Sequence, residues 1–217
     1  EMCIRDREGA IVGAIGVPAE LGAADVWGHG TRVAGVAAFG DLRAQLATGG
    51  HLVCAARICS ARVVNDAGRF DDHRLVPSQM REALTTLNRE FGCRIFSISL
   101  ADTKSSPYAG GKVGPWTATL DELASELNAL ILVSAGNRHP RQAERQEEGI
   151  TDYPAYLLEA SNRFLEPSAA INVLTVGSIA HGAGIDAELI GQDVDVLTIR
   201  SGEVVPAKRP GIGEFLV

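Results

Sequence analysis

Short apolar segments alternate with segments of helical periodicity along most of this chain, and that alternation restricts the fold more than any other feature. The periodic segments predict helices, and the shorter continuous apolar runs predict buried strands. We predict helices at residues 29–39, 77–91 and 115–128, and strands at residues 10–17, 52–58, 61–64, 94–100, 129–134, 171–176 and 194–199. Strands and helices in this order predict an α/β fold, a parallel β-sheet with helices on both faces.

The composition of the 217 residues is that of a globular domain, with 46% hydrophobic and 22% charged residues. The formal net charge is −7 and no run of Lys and Arg occurs, so we expect no nucleic-acid partner. No apolar run reaches the ~18–20 residues needed to cross a bilayer, so we expect no membrane partner. Compartment and oligomeric state cannot be inferred from these features.

Residues 1–9 show no structural pattern, and we interpret them as a non-native or disordered leader before a domain at residues 10–217. The four cysteines form no CxxC pair, and we interpret Cys54 and Cys59, in a strand-like region, as small buried hydrophobic residues. No run of Asp and Asn has the spacing of a calcium loop. We therefore expect neither a metal nor a cofactor.

The octet Gly28-His29-Gly30-Thr31-Arg32-Val33-Ala34-Gly35 places a histidine where a helix begins. The flanking glycines remove bulk beside the imidazole, and the positive end of the helix dipole favours its neutral form. A neutral imidazole at an open cleft can act as a general base. A single histidine in this position is more often a helix-capping residue, but the whole octet favours the catalytic interpretation.

A second polar segment, Ser134-Ala135-Gly136-Asn137, ends an apolar strand. In a parallel α/β sheet, functional groups collect at the carboxyl ends of the strands. The Asn137 amide could donate a hydrogen bond to the oxyanion of a tetrahedral intermediate, and Ser134, Ala135 and Gly136 are small enough to form a pocket wall. The plainer alternative is a turn asparagine that caps the strand.

These segments resemble the subtilisin-like serine peptidases, the subtilases. The resemblance implies a Ser-His-Asp mechanism with His29 as general base and Asn137 as oxyanion-hole donor. It also implies that Ser99, Leu100 and Ala101 pair with the backbone of a peptide or protein substrate, although the family usually has glycine at the position of Ala101. Two later segments extend the resemblance, Tyr153-Pro154-Ala155 and residues 172–178.

The other two members of the triad are not evident. The family's Gly-Thr-Ser motif and its Asp-Ser/Thr-Gly turn do not occur in the sequence. Asp6 and Asp25 are poor matches to the triad aspartate, and Ser168, Ser178 and Ser201 lack the flanking small residues. We therefore expect a subtilase domain truncated at both ends and inactive by itself.

Two other functions remain open. The first is a catalytically dead subtilase-like domain that binds peptides without cutting them. The second is an unrelated α/β ligand-binding domain whose motifs match by chance. It would be favoured if His29 and Asn137 lay far apart in space.

Overall fold

The computed structural model describes residues 10–40, 53–136 and 163–177. Within these residues the strands are β1 (Ile11–Gly16), β2 (Ile58–Arg62), β3 (Ile95–Ile98), β4 (Leu130–Ser134) and β5 (Leu174–Val176). The helices are α1 (His29–Phe39), α2 (Val76–Phe91) and α3 (Pro115–Glu126), with a short 3-10 turn at Ala19–Leu21. Every described helix thus lies between two strands, which confirms the α/β prediction.

All described strand pairs are parallel and form two sheets. Strand β1 pairs with β2, from Ile11 opposite Ile58 to Gly16 opposite Arg62. The second sheet has the order β3-β4-β5. Ile95 lies opposite Leu130 in this sheet. The carboxyl ends of β3, β4 and β5 therefore lie along one edge, as expected for parallel strands.

Helices α2 and α3 cover one face of the β3-β4-β5 sheet. The alternating side chains of β3 and β4 that point to this face are buried: Phe96, Ile98, Ile131 and Val133. They share one core with residues of both helices, including Met80, Leu84, Leu87, Trp116, Leu120 and Leu123. Because alternate residues of a strand point to opposite faces, the intervening residues face the other side, toward α1.

Residue types at the helix ends explain where the helices begin and end. Both α2 and α3 have a proline in the first turn, where its missing N–H costs no hydrogen bond. Gly92 ends α2 with φ 69°, a left-handed conformation that glycine adopts without steric cost. Within the described ranges, no helix combines the length and apolar character needed to span a membrane.

One buried polar side chain joins the ends of β1 and β2. Gln79 of α2 is 0% exposed, and its Nε2 donates hydrogen bonds to the backbone carbonyls of Val17 (2.5 Å) and Val63 (2.6 Å). Each carbonyl belongs to the residue that directly follows its strand. Gln79 therefore satisfies two backbone acceptors at the edge where the strands end.

Several predictions need correction. Residues 53–57 are not a strand, because pairing with β1 begins only at Ile58. Cys54 is exposed, whereas Cys59 is half-buried, so the interpretation of both as buried hydrophobic residues was wrong for Cys54. Three predictions concern residues outside the described ranges: the leader at residues 1–9, the Tyr153-Pro154-Ala155 segment and the strand at residues 194–199. The prediction of a domain at residues 10–217 stays a prediction.

Candidate active site

The loop before α1 is organised by Asp25. Its Oδ1 accepts hydrogen bonds from the backbone N–H groups of Trp27 (3.0 Å) and Gly28 (2.8 Å). Its Oδ2 accepts one from the backbone N–H of Thr31 (2.7 Å). Thr31 is the third residue of α1, so Asp25 satisfies one of the N–H groups that a helix leaves free at its N-terminus. A carboxylate placed here also interacts favourably with the helix dipole.

The position of His29 follows from this loop. Gly28 is the N-cap of α1 with φ 73°, so the chain turns there in a conformation that glycine favours. His29 is the first residue of the helix and is half-buried. Among the described residues, the hydrogen bonds to Asp25 come from the loop and from the first turn of α1. Asp25 is therefore engaged as a helix cap and does not fit the role of a triad aspartate.

Trp27 links the loop before α1 (residues 22–28) to the turn after β2 (residues 65–69). Its indole Nε1 donates a hydrogen bond to the backbone carbonyl of Asp66 (2.8 Å). A Cβ at Gly68 would lie 3.7 Å from the same indole ring, so the ring packs directly over this glycine. The turn itself is held by Asn65, whose Oδ1 accepts from the backbone N–H groups of Ala67 (2.9 Å) and Arg69 (3.0 Å).

Arg62, the last residue of β2, also binds the backbone of the loop before α1. Its guanidinium donates to the backbone carbonyls of Leu21 (3.0 Å) and Ala24 (3.1 Å), and its Nε donates to Val64 (3.0 Å). It also pairs with the Asp66 carboxylate. The Arg62 side chain is only 12% exposed, so these contacts lie in a partly desolvated setting where charge-assisted hydrogen bonds are strong.

A cavity of about 270 Å³ lies between α1 and the carboxyl ends of β3, β4 and β5. Its α1 wall includes Val33 and Val36, which lie four and seven residues after His29 and so share its helix face. The sheet contributes small and polar residues where its strands end: Ser97, Ser99, Ser134, Ala135, Gly136 and Gly177. The structure thus brings the helix that carries His29 beside the strand ends predicted to bind substrate.

Four of the six predicted substrate-binding residues line the cavity, and two do not. Ser99, Ser134, Ala135 and Gly136 line the cavity. Leu100 packs against the core shared with α2 and α3, and Ala101 follows it outside the cavity wall. Their assignment to substrate binding stays a prediction.

The described part of the chain after β4 ends at Gly136, directly before Asn137, the remaining predicted site residue. The Ala135 N–H donates to the carbonyl of Val176 (2.9 Å), which continues the β4-β5 pairing. Gly136 then has φ 114°, a conformation that residues with a side chain rarely adopt. Asn137 lies just beyond the described residues, so its role as oxyanion donor stays a prediction.

The sequence analysis did not identify two residues whose hydrogen bonds position the loop before α1, Arg62 and Trp27. Arg62 lies 41 positions from Leu21, and Trp27 lies 39 positions from Asp66, so no local pattern connects them. The single available signal was an arginine at the end of an apolar strand. Among the described residues, no group of three His, Cys, Asp or Glu side chains could hold a metal ion.

In open parallel α/β folds, ligands bind at the carboxyl ends of the strands, and the cavity beside α1 lies at that edge. The model of the subtilase family matches residues 16–206, so the chain belongs to the subtilase family. An uncharacterized protein of Sinorhizobium fredii, y4bN, is 62% identical to it over 141 residues, which are 64% of this chain and 32% of that relative. The chain therefore spans about a third of the length of this curated relative.

Loss of the Asp25 carboxylate is expected to destabilise the protein. At pH 7, Asp25→Ala should lower the free energy of unfolding by about 1 kcal/mol, the usual cost of a lost helix cap. The control Asp72→Ala removes an exposed carboxylate paired at 3.5 Å with Lys104 and should change stability by less than about 0.5 kcal/mol. Urea denaturation followed by circular dichroism measures both differences.

The effect of Asp25 should also depend on pH. Partial burial would raise the pKa of Asp25, but the hydrogen bonds from Thr31, Gly28 and Trp27 outweigh it and hold the pKa below its ordinary value of 3.8. A carboxyl with a lowered pKa stabilises the folded state above its unfolded pKa, and this contribution disappears as the pH falls through the folded pKa. The difference between wild type and Asp25→Ala should therefore shrink below about pH 4. A difference that stays constant down to pH 3 would contradict this role.

Proposed function

We propose that this chain supplies the general base and the substrate-binding strand ends of a serine endopeptidase. One observation carries the proposal: the face of α1 that follows His29 shares a cavity with Ser99 and with residues 134–136. A peptide bound along these strand ends would place its scissile carbonyl near the N-terminus of α1. The family match supports the same reaction class.

The proposed reaction is acyl transfer to a serine. The His29 imidazole accepts the proton of the serine hydroxyl as that oxygen attacks the scissile carbonyl, and then gives the proton to the leaving amine. The Asn137 amide donates a hydrogen bond to the oxyanion that forms. Ser99, Leu100 and Ala101 hold the substrate backbone in an extended conformation, and Ser134, Ala135 and Gly136 border the pocket for a substrate side chain.

The nucleophile and the triad acid are proposed to come from parts of a longer protein. Ser168 is 4% exposed and its hydroxyl donates to the carbonyl of Leu165 (2.6 Å), so it is not available as a nucleophile. Within the described residues, Ile95, Leu130 and Leu174 leave exposed apolar surface on the face of the sheet turned toward α1. Parallel sheets are normally covered on both faces, so this face has room for a helix that begins with the nucleophilic serine.

A second candidate is a peptide-binding domain that has lost catalysis. It is favoured by the lack of a Gly-Thr-Ser motif in the 217 residues and by Ala101 where the family usually has glycine. Such a protein would keep the substrate-binding strand ends without a nucleophile.

A fluorophosphonate probe, which reacts covalently with activated serines, separates the two candidates. The probe is applied to the 217-residue chain and to the complete protein encoded by the surrounding gene. The peptidase proposal expects labelling of the complete protein and none of the chain alone. Unlabelled complete protein that still binds peptides would support the second candidate, and loss of both labelling and peptide binding would overturn both.

A further inference from the structure

Two cysteines that are far apart in the sequence meet in the structure. Cys59 lies on β2, and Cys93 lies between the end of α2 and β3. Their thiols lie near enough to interact electrostatically, and both pack at the margin of the core that α2 and α3 share with the strands. Both cysteines are free thiols that are half-buried.

The packing of α2 under the β1-β2 pair explains this meeting. The ring of Phe91, in the last turn of α2, lies so close to Gly13 that a Cβ there would be 2.3 Å from Phe91 Cε1. Gly13 is the register partner of Cys59 on β2. The end of α2 is therefore held against the strand residue beside Cys59, and Cys93 follows Phe91 by two positions.

The backbone of Cys93 is also fixed. Gly92 turns the chain back on α2 in the left-handed conformation. The Cys93 N–H then donates to the carbonyl of Leu87 (3.3 Å), and the side chain of Asn88 donates to the carbonyl of Cys93 (2.8 Å). Because both thiols sit on constrained backbone, their contact is a property of the packing and not of a flexible loop.

The surroundings of the two thiols do not favour metal binding. Burial raises the pKa of Cys93 to about 11, and the hydrogen bond and charge of Cys59 add to the increase. A thiol that stays protonated at neutral pH is a poor metal ligand, and its exchange with a disulfide becomes faster as the pH rises toward its pKa, because the thiolate is the attacking species. Among the described residues, no third metal-binding side chain completes a site with this pair.

We propose that Cys59 and Cys93 are a redox modification site and form a disulfide with each other on reaction with a small-molecule disulfide such as glutathione disulfide. One protein thiol loses its proton and attacks the oxidant, which forms a mixed disulfide and releases one glutathione. The second protein thiol attacks the protein sulfur of that mixed disulfide and releases the second glutathione. The two protein thiols are oxidised by two electrons, glutathione disulfide is reduced, and the new bond links β2 to the segment between α2 and β3.

The test is oxidation of the 217-residue chain with glutathione disulfide, followed by intact mass and peptide mapping. The proposal expects a cross-linked peptide that contains Cys59 and Cys93, lighter by two hydrogen atoms than the two reduced peptides together, and no glutathione on either residue, whether or not the exposed Cys54 takes up glutathione. Cys54→Ser is the matched control, since Cys54 is exposed and should not alter this cross-link. In Cys59→Ser or Cys93→Ser, the remaining partner should instead retain one glutathione.

Two results would overturn the proposal. The first is stable glutathione on both Cys59 and Cys93 of the same molecule, which would show that the thiols do not reach each other. The second is a cross-link that joins either of them to Cys3 or Cys54. Because wild-type protein gives the decisive masses, the result does not depend on whether the serine variants fold.

Discussion

Replacing His29 by alanine in the complete protein should lower the rate of peptide hydrolysis by about 10²–10⁴-fold, the usual contribution of a positioned general base. The loss should appear mainly in kcat, since the imidazole acts on the proton that moves in the transition state. Steady-state hydrolysis of a fluorogenic peptide measures it. Circular dichroism of the variant should match that of the wild type, because His29 lies at the start of α1 and outside the buried core.

The matched control for this experiment is His73→Ala. His73 is an exposed histidine in the loop before α2, away from the cavity beside α1. Its replacement should leave kcat within about twofold of the wild type, as expected for a surface substitution. Equal activity of His29→Ala and His73→Ala would contradict the role of His29 as general base and would favour the helix-capping interpretation.

Gln79→Ala should cost about 2–4 kcal/mol of folding free energy, because it leaves two buried carbonyls without a donor and opens a space in the core. The carbonyls are those of Val17 and Val63, and Gln79 is their shared donor at the ends of β1 and β2. Urea denaturation gives the difference in the free energy of unfolding.

Arg89→Ala on the same helix provides the comparison. Arg89 pairs with its neighbour Glu90 on the surface, with 67% of its side chain exposed, so its loss should cost less than about 0.5 kcal/mol. A cost below about 1 kcal/mol for Gln79→Ala would show that water replaces the glutamine without penalty.

Local residue types were enough to predict much of the fold. Helix α1 was predicted with the bounds that the structure has, because glycines lie at both ends and determine where the helix starts and stops. Helix α2 was placed to within one residue for a similar reason, since Gly92 ends it and Pro77 lies in its first turn. These signals act over a few residues and are therefore visible in a single sequence.

Features that depend on distant partners could not be predicted. The bounds of β2 follow from its pairing with β1, where Ile58 meets Ile11, and not from the apolar run that precedes it. Two other features also join segments that only folding brings together. They are the hydrogen bonds from Arg62 to the loop before α1 and the proximity of Cys59 to Cys93. For the candidate site, sequence motifs identified the chemical groups, but the supporting contacts required the structure.

The different surroundings of the two tryptophans make each a separate optical reporter. Trp27, 60% exposed and bonded to the Asp66 carbonyl, should emit at long wavelength and be reached by a soluble quencher such as acrylamide. Trp116, 1% exposed and in edge-to-face contact with Phe70, should emit at shorter wavelength and be shielded from that quencher. Fluorescence can therefore distinguish a rearrangement of the segment before His29 from loosening of the hydrophobic interior, without any added label.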